Sequence, residues 1–274
     1  MDFDRMRDLA GDPRFIPGIY NYCDRWCERC PKAHRCLTYA CQLAEKADAD
    51  QRASESAAES HAEGNERFWQ ELQSSLDANN EALEASAGLG DDTEIDAEEF
   101  AKFEEQYERR RQMIQRHPLS QISRAYLDRM HEVLLELDTL IEEQKKKLEA
   151  ADNDESDEPA KQIVDLDDCL EVIGWYHTLM HVKLHRALMS VGDEAEEGDM
   201  ELPSFPKDSD GSAKIVLIGI DRSLAAWNRL SLLLVGTLDD AVLHAATQQL
   251  RHMRVLTDST FPNAKAFVRP GLDE

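Results

Sequence analysis

Apolar side chains recur every three or four residues along most of this chain, which is the period of one face of an α-helix. This pattern predicts five helices, over about 65–87, 97–116, 119–149, 160–190 and 213–256. The third predicted helix shows the spacing clearly, with apolar residues at Ile122, Tyr126, Met130, Val133, Leu137 and Leu140. No segment alternates apolar and polar residues as a half-buried strand does. The pattern therefore predicts an all-α protein.

The order of these segments also predicts how the chain is divided. About four long helices joined by acidic connections are typical of an up-and-down helical bundle, which we place at residues 65–256. Residues 1–47 contain five of the six cysteines and predict a small Cys-rich metal module. Residues 48–64 are rich in Ala, Ser and acids, which favours a linker or an exposed helix. Residues 257–274 are predicted to be a polar tail.

The formal net charge of −25 is concentrated in a few places. Residues 91–99, 152–158 and 193–201 are dense in Asp and Glu and contain no Lys or Arg. We expect the connections 91–96, 152–158 and 193–211 to be exposed, because burying so many carboxylates costs too much free energy. Nucleic-acid binding requires a cationic face, which this composition does not supply.

The first ten residues are charged throughout, and no stretch approaches the roughly 20 apolar residues of a membrane span. We therefore expect a cytoplasmic protein without a membrane or nucleic-acid partner, and we leave a protein partner open. Thiols stay reduced in the cytoplasm, so six cysteines there indicate a metal site rather than disulfides.

Four cysteines are close enough in sequence to share one metal centre. Cys23, Cys27, Cys30 and Cys36 have the spacing C-x3-C-x2-C-x5-C. Thiolates are soft ligands, which suit both zinc and iron–sulfur clusters. His34, inside the run, and Cys41, five residues after it, are alternative ligands.

Two known cysteine patterns resemble parts of this run. The spacing C-x3-C-x2-C is that of radical SAM enzymes, but Arg29 stands where they usually have an aromatic residue, and the chain lacks their strand–helix alternation. The half Cys27-x2-Cys30-Pro31-x4-Cys36 resembles the [4Fe–4S] loop of the endonuclease III and adenine glycosylase family. Only the loop chemistry carries over, since no other glycosylase motif is present. We therefore favour a [4Fe–4S] cluster slightly over Zn²⁺.

A third resemblance covers the stretch IPGIYNYCDRWCERC, residues 16–30. It is similar to the N-terminus of a family of uncharacterised bacterial proteins of about this length. That resemblance implies no activity.

A second candidate site lies in the helices. His177 and His181 are four residues apart on the apolar side of the fourth predicted helix, so both rings are predicted to face the core. Inward histidines need polar partners, and the chain offers Asp128, His131, Glu171, Asp239, Asp240 and His244. Ferritin-like di-iron bundles use inward carboxylates and histidines, but no Glu-x-x-His pair is present here. Hydrogen-bonded core histidines and a second metal site are thus alternative interpretations.

Polar residues also interrupt the apolar fifth predicted helix. Asp221 and Arg222 are expected to pair with other polar groups, and Lys183 and Arg186 are candidate partners.

Two functions are compatible with these patterns. The first is a metal-binding helical protein whose four-cysteine centre stabilises the fold or senses redox state. The alternative is a metalloenzyme, either ferritin-like or an iron–sulfur redox enzyme, with a His/carboxylate site in the bundle. The sequence does not decide whether the protein is an enzyme.

Overall fold

The computed structural model describes residues 9–56, 65–66, 69–70, 72–78, 80, 97–151, 157–196 and 207–273. These residues are mostly helical and contain no strand, so the all-α prediction is confirmed for them. Two compact units are present. The first unit consists of Met1–Ile16 and Cys27–Gln106, and the second unit consists of Pro17–Trp26 and Tyr107–Glu274.

Six α-helices have defined bounds within the described residues: α1 Leu37–Ser56, α2 Ala97–Arg116, α3 Pro118–Ala151, α4 Glu158–Glu196, α5 Asp208–Leu233 and α6 Asp240–Thr260. Short 3₁₀ turns lie at Cys27–Arg29, Ala33–Arg35 and Ala264–Ala266. The described residues between 65 and 80 are also helical. Residues 57–64, 81–87 and 91–96, which include parts of the predicted linker, first helix and first acidic connection, lie outside the described residues.

Pro118 explains why α2 and α3 are separate helices. Proline is favoured at the first position of a helix, because its φ angle is already helical and its missing N–H would have no partner there. Helix α2 accordingly ends at Arg116 and α3 begins at Pro118. The bounds of α2 are those that the sequence predicts.

The prediction of one long helix over 213–256 is wrong, because the chain breaks between α5 and α6. Gly236 has a φ of 77°, a conformation that residues with a Cβ rarely adopt. Asp239 then caps α6, and its side chain accepts a hydrogen bond from the Ala241 N–H at 2.8 Å. The apolar run around Leu230–Leu238 concealed this break in the sequence pattern.

The predicted acidic connection 193–211 is shorter than expected. Helix α4 continues to Glu196, and α5 already begins at Asp208. Ser209 and Asp210 are buried there rather than exposed. Residues 152–156 and 197–206 lie outside the described residues.

Helices α3 to α6 form one apolar core in the second unit. Helix α4 packs along α5 and α3, and α6 packs against the same two helices. The largest fully buried side chains come from three of them: Tyr126, Met130 and Leu137 of α3, Tyr176 and Leu184 of α4, and Trp227 of α5. Many of these positions belong to the predicted apolar faces.

The C-terminal residues contribute to this core as well. Helix α6 ends at Thr260, and Phe261 and Ala264 are buried beyond it. This differs from the predicted polar tail over 257–274. The sequence pattern did not predict that residues of 257–274 are buried, because only a few residues of this segment are apolar.

The described residues of the first unit have very little buried surface. Cys36, at 8% exposed, is the only buried residue among those described in this unit. Large apolar side chains of the unit are exposed instead, including Leu43, Trp69, Leu76, Phe100 and Phe103. Within the described residues, no helix combines the length and apolarity needed to cross a membrane.

Two helical glycines give a matched test of the packing between α4 and α5. A Cβ on Gly219 would lie 2.8 Å from the Tyr176 ring and 2.9 Å from Met180, whereas a Cβ on Gly174 would have no neighbour within 4 Å. We expect Gly219→Ala to lower the free energy of unfolding by about 1–3 kcal/mol through overpacking. Gly174→Ala should raise it by up to about 1 kcal/mol, because alanine favours helix. Chemical denaturation followed by circular dichroism measures both; equal effects would contradict the close contact.

Candidate metal centre

Consecutive turns connect three of the four cysteines of the first unit, Cys27, Cys30 and Cys36. The Cys30 N–H donates to the Cys27 carbonyl at 3.2 Å, and the Ala33 N–H donates to the Cys30 carbonyl at 3.2 Å. The Cys36 N–H then donates to the Ala33 carbonyl at 3.0 Å. Each such turn keeps its end Cα atoms within about 7 Å. The backbone therefore keeps Cys27 and Cys30 close, and Cys36 follows two turns later.

The start of the chain supports these turns. The Ile16 N–H donates to the Arg35 carbonyl at 3.0 Å, and the Arg35 guanidinium donates to the Arg14 carbonyl at 3.3 Å. These bonds tie residues 14–16 to the 3₁₀ turn Ala33–Arg35. Hydrogen bonds thus hold the segment Cys27–Cys36 both within its own turns and to residues 14–16.

All six cysteines are free thiols. Cys23, Cys27, Cys30 and Cys41 are half-buried, and Cys36 is buried. The sixth, Cys169, lies in the core of the second unit, where burial raises the pKa of its thiol to about 11. Cys169 is therefore a packing residue, whereas the cysteines before residue 42 lie in or just after the turns.

Among the described residues, no group of three or more Cys, His, Asp or Glu side chains is arranged to hold a metal ion. The turns bring the backbone of the first unit's cysteines together, but the thiols are not gathered around one point. The four cysteines Cys23, Cys27, Cys30 and Cys36 have the ligand chemistry and the sequence spacing of a metal centre. Their side chains are not positioned around one metal ion.

Both alternative ligands lie in the first unit. His34 lines an open pocket together with Cys30, Tyr39 and Leu43. Its imidazole is exposed and shares this pocket with one predicted thiolate ligand. Cys41 lies on α1, one turn beyond Leu37.

Cys23 belongs to the second unit, in a segment that packs on helices α4 and α5. Its thiol donates to the Tyr20 carbonyl at 3.5 Å, and burial raises the pKa of this thiol. The buried Lys183 ammonium donates to the Asn21 carbonyl at 3.4 Å. Burial lowers the pKa of Lys183. The segment Pro17–Trp26 is therefore fixed on either side of Cys23.

Asp24 makes the main polar contact of that segment. Its carboxylate accepts a hydrogen bond from the Tyr176 hydroxyl at 2.6 Å and one from the Arg222 guanidinium at 2.9 Å. Arg222 also donates to the Tyr176 oxygen. Burial, and then the Asp24 carboxylate, raise the pKa of Tyr176 above its usual range. One carboxylate thus connects the segment to both α4 and α5.

Aromatic packing follows the same path. The Trp26 ring stacks on Trp175 with centroids 5.1 Å apart and meets Tyr176 edge-on at 6.1 Å. The Trp175 indole N–H donates to the Asp24 carbonyl at 2.9 Å. Arg25, between these residues, has a φ of 56°, which is unusual for a residue with a Cβ. The segment accepts this strained backbone where Asp24 and Trp26 both contact α4.

The histidines of the second candidate site make ordinary structural contacts. His177 is buried; its Nδ1 bonds to the Gly174 carbonyl at 2.6 Å and its Nε2 to the Thr178 hydroxyl at 3.1 Å. The His131 ring meets it edge-on at 5.4 Å. His181 is half-buried and bonds to the Ser123 hydroxyl at 2.9 Å. Both rings therefore have neutral partners rather than carboxylates.

The remaining members of the predicted second site are not brought to these rings. Asp128 is exposed and pairs with Arg124 on its own helix. Asp239 caps α6. Glu171, Asp240 and His244 are exposed. The structure therefore does not bring the predicted second set of ligands together.

Sequence reasoning missed the Asp24–Tyr176–Arg222 contact. The sequence showed Arg222 as a polar residue in an apolar helix, but its partners are Asp24 and the Tyr176 hydroxyl rather than the expected Lys183 and Arg186 of α4. Asp221, its neighbour, pairs with Arg254 of α6. The available signal was Asp24 itself, an acid inside the cysteine run, which the metal interpretation left without a role.

Comparison with known proteins gives no relative from which a function could be transferred. No family model, no curated protein and no solved structure matches the chain.

The Asp24 contact has a matched control in the same helices. Asp24→Ala leaves the buried Tyr176 hydroxyl and Arg222 without their acceptor, so we expect a loss of about 1–3 kcal/mol in the free energy of unfolding. Asp165→Ala removes a more exposed pair, with Arg229, and should cost less than about 1 kcal/mol. Urea denaturation compares them; a smaller effect for Asp24→Ala would contradict its role.

The histidines predict a pH dependence of stability. Burial lowers the pKa of both His177 and His181, so the unfolded chain binds more protons than the folded one below about pH 6.5. The free energy of unfolding should therefore have its full value above about pH 6.5. It should decrease as the pH falls towards the lowered pKa values. Replacing both by Gln should flatten this dependence, and an unchanged slope in that variant would contradict the prediction. Denaturation curves between about pH 5 and 7.5 provide the test.

Proposed function

We propose that this protein is a metal-binding helical protein in which Cys23, Cys27, Cys30 and Cys36 bind one metal centre. In this proposal helices α3 to α6 form an up-and-down bundle, and the cysteine run is a small metal module that precedes it. The centre has a structural role or senses redox state. We propose no catalytic role, because the acids that a bundle site would need lie on the surface.

The near absence of a core among the described residues of the first unit is the observation that carries this proposal. Cys36 is the only buried residue among those described there. A segment that buries so little apolar surface cannot offset its loss of conformational entropy by packing alone. Small folded segments usually obtain the missing stability from disulfides, a metal or oligomerisation. No disulfide is formed, and the free thiols of the cysteine run are suitable ligands for a metal.

The turns of the loop support the same proposal. They reduce the conformational freedom between Cys27, Cys30 and Cys36 before any metal is bound. Metal binding and ordering of the segment are then coupled. The metal draws the thiols together, and its binding free energy stabilises the segment. Four-thiolate ligation also deprotonates the cysteines, so the raised pKa of the Cys23 thiol does not prevent binding.

The identity of the metal follows from ligand chemistry. Four thiolates suit a [4Fe–4S] cluster, which we favour, and also suit tetrahedral Zn²⁺. His34 could replace one thiolate at zinc, since imidazole is an ordinary zinc ligand. Its position in one pocket with Cys30 supports it as the alternative.

Metal analysis after anaerobic purification tests the proposal. We expect one centre per chain, either four iron ions with a broad visible absorption band or one zinc ion without one. Cys27→Ser should lose most of this metal, because three thiolates bind less strongly than four. Its far-UV circular dichroism should remain near that of the wild type, since α3 to α6 have their own core.

Cys41→Ser is the control, because Cys41 lies outside the proposed set but in the same unit. It should keep the full metal content. A metal-free wild-type protein that is nevertheless folded would disprove the proposal. Loss of metal from Cys41→Ser but not from Cys36→Ser would transfer the fourth ligand to Cys41.

A further inference from the structure

Cys27 and Cys30 are spaced for a disulfide, although both are free thiols in this structure. The Cys30 N–H donates to the Cys27 carbonyl at 3.2 Å, which closes the 3₁₀ turn Cys27–Arg29. Such a turn keeps its two end Cα atoms within about 7 Å, and disulfides usually join Cα atoms about 4.4–6.8 Å apart. Both thiols are half-buried rather than enclosed in a core. The pair can therefore be oxidised with little movement of the backbone.

The other two cysteines of the run are less suited to pair with Cys27 or Cys30. Cys36 is buried, and two turns rather than one separate it from Cys30. Cys23 belongs to the second unit, where its thiol donates to the Tyr20 carbonyl at 3.5 Å. Closing a loop costs more entropy as the loop becomes longer. The shortest spacing of the run, between Cys27 and Cys30, is therefore the favoured one.

An open pocket in the first unit gives small molecules access to this pair. The pocket has a volume of about 530 Å³, and its lining combines Cys30 and His34 with Phe15 and Tyr39. All four residues belong to the first unit. Small-molecule sites commonly have volumes of about 300–1,000 Å³ and an aromatic lining with a few polar groups. The pocket therefore has the size and the chemistry to admit a small organic molecule to Cys30.

The charge of the surrounding segment indicates the class of that molecule. The segment Cys27–Cys36 contains three Lys or Arg residues and one Glu, a net charge of +2 in a chain whose net charge is −25. An anionic molecule is attracted to this segment and repelled by the chain as a whole. Low-molecular-weight disulfides that carry carboxylates, such as glutathione disulfide, combine this charge with a sulfur that a thiolate can attack.

We propose that Cys27 and Cys30 form a thiol–disulfide exchange site whose substrate is an anionic low-molecular-weight disulfide. The Cys30 thiolate attacks one sulfur of the substrate, breaks its S–S bond and forms a mixed disulfide, and one thiol leaves. The Cys27 thiolate then attacks the Cys30 sulfur, which forms the Cys27–Cys30 disulfide and releases the second thiol. The two protein thiols thus lose two electrons to the substrate, and their protons pass to the two thiols released.

This exchange deepens the proposed function, and only its effect on the metal rests on that function. Cys27 and Cys30 are two of the four proposed ligands, and a disulfide sulfur lacks the thiolate charge that binds a metal. Oxidation of the pair therefore releases the centre, and a bound centre slows the exchange. Redox-sensing cysteines often have a second, resolving cysteine close by, and Cys27 has this position relative to Cys30.

Peptide mapping of the full chain tests the exchange. Trypsin cleaves after every Lys and Arg between them, so Cys23, Cys27, Cys30 and Cys36 lie on four different peptides. Metal-replete and chelator-treated protein are incubated with glutathione disulfide, the remaining thiols are alkylated, and linked peptides are quantified by mass spectrometry. We expect the Trp26–Arg29 peptide linked to the Cys30–Lys32 peptide to exceed any other linked pair about tenfold or more, because its loop is the shortest. The metal-replete protein should react more slowly and release one centre for each disulfide formed.

Single-cysteine variants test the order of attack. Cys27→Ser should accumulate a stable mixed disulfide on Cys30, because no second thiol resolves it. Cys30→Ser should react more slowly, since the pocket lining includes Cys30 but not Cys27. The matched control is Cys41→Ser, which should form the Cys27–Cys30 disulfide at the wild-type rate. A mixed disulfide that forms on Cys27 in Cys30→Ser, but not on Cys30 in Cys27→Ser, would overturn the assignment of Cys30 as the attacking residue.

The outcomes separate this inference from the proposed function. A wild type that does not react, that forms only mixed disulfides, or that mainly links other cysteines would overturn the exchange site. A metal-replete chain that loses its centre without forming this disulfide would overturn the effect on the metal and leave the proposed function standing. A chain that binds no metal but forms the Cys27–Cys30 disulfide would contradict the proposed function and support the exchange site.

Discussion

The close approach of α4 and α5 at Gly219 is the contact on which the rest of the second unit depends. A Cβ at this position would lie 2.8 Å from the Tyr176 ring. Because glycine leaves that space, Tyr176 can be fully buried between the helices while its hydroxyl still reaches the Asp24 carboxylate at 2.6 Å. Asp24 in turn fixes the segment Pro17–Trp26, which includes Cys23. The position of Cys23, one of the predicted thiolate ligands, therefore depends on the absence of a Cβ at Gly219 in α5.

Sequence periodicity predicted the helices well, because burial of one face imposes the same spacing on every amphipathic helix. It failed at Gly236, where a continuous apolar run contains no periodic signal and one glycine decides the break. It also could not find the partners of buried polar groups. Asp24 and Arg222 are 198 residues apart in the chain, and the pairing of such distant residues depends on how helices pack rather than on local spacing.

The candidate sites show the same limit. Four cysteines within fourteen residues suggest a common centre because local chain geometry restricts where their thiols can lie. The acids predicted to reach His177 had no such restriction. They are exposed, and the ring instead bonds to the Gly174 carbonyl and Thr178 of its own helix. Among the described residues, the first unit buries far less apolar surface than the second, and in the proposed function a bound metal supplies part of the stability that packing does not.

Within the second unit, the segment that follows α6 contacts the segment Pro17–Trp26 and helix α5. The Phe267 ring meets Tyr22 edge-on with centroids 4.8 Å apart, and the Lys214 ammonium donates to the Lys265 carbonyl at 2.7 Å. A chain leaves the ribosome from its N-terminus, so Phe267 becomes available only after α3 to α6 have been synthesised. Tyr22 can make this contact only once the segment after α6 has been synthesised. The packing of the segment Pro17–Trp26, which includes Cys23, is therefore completed later than that of the helices it lies on.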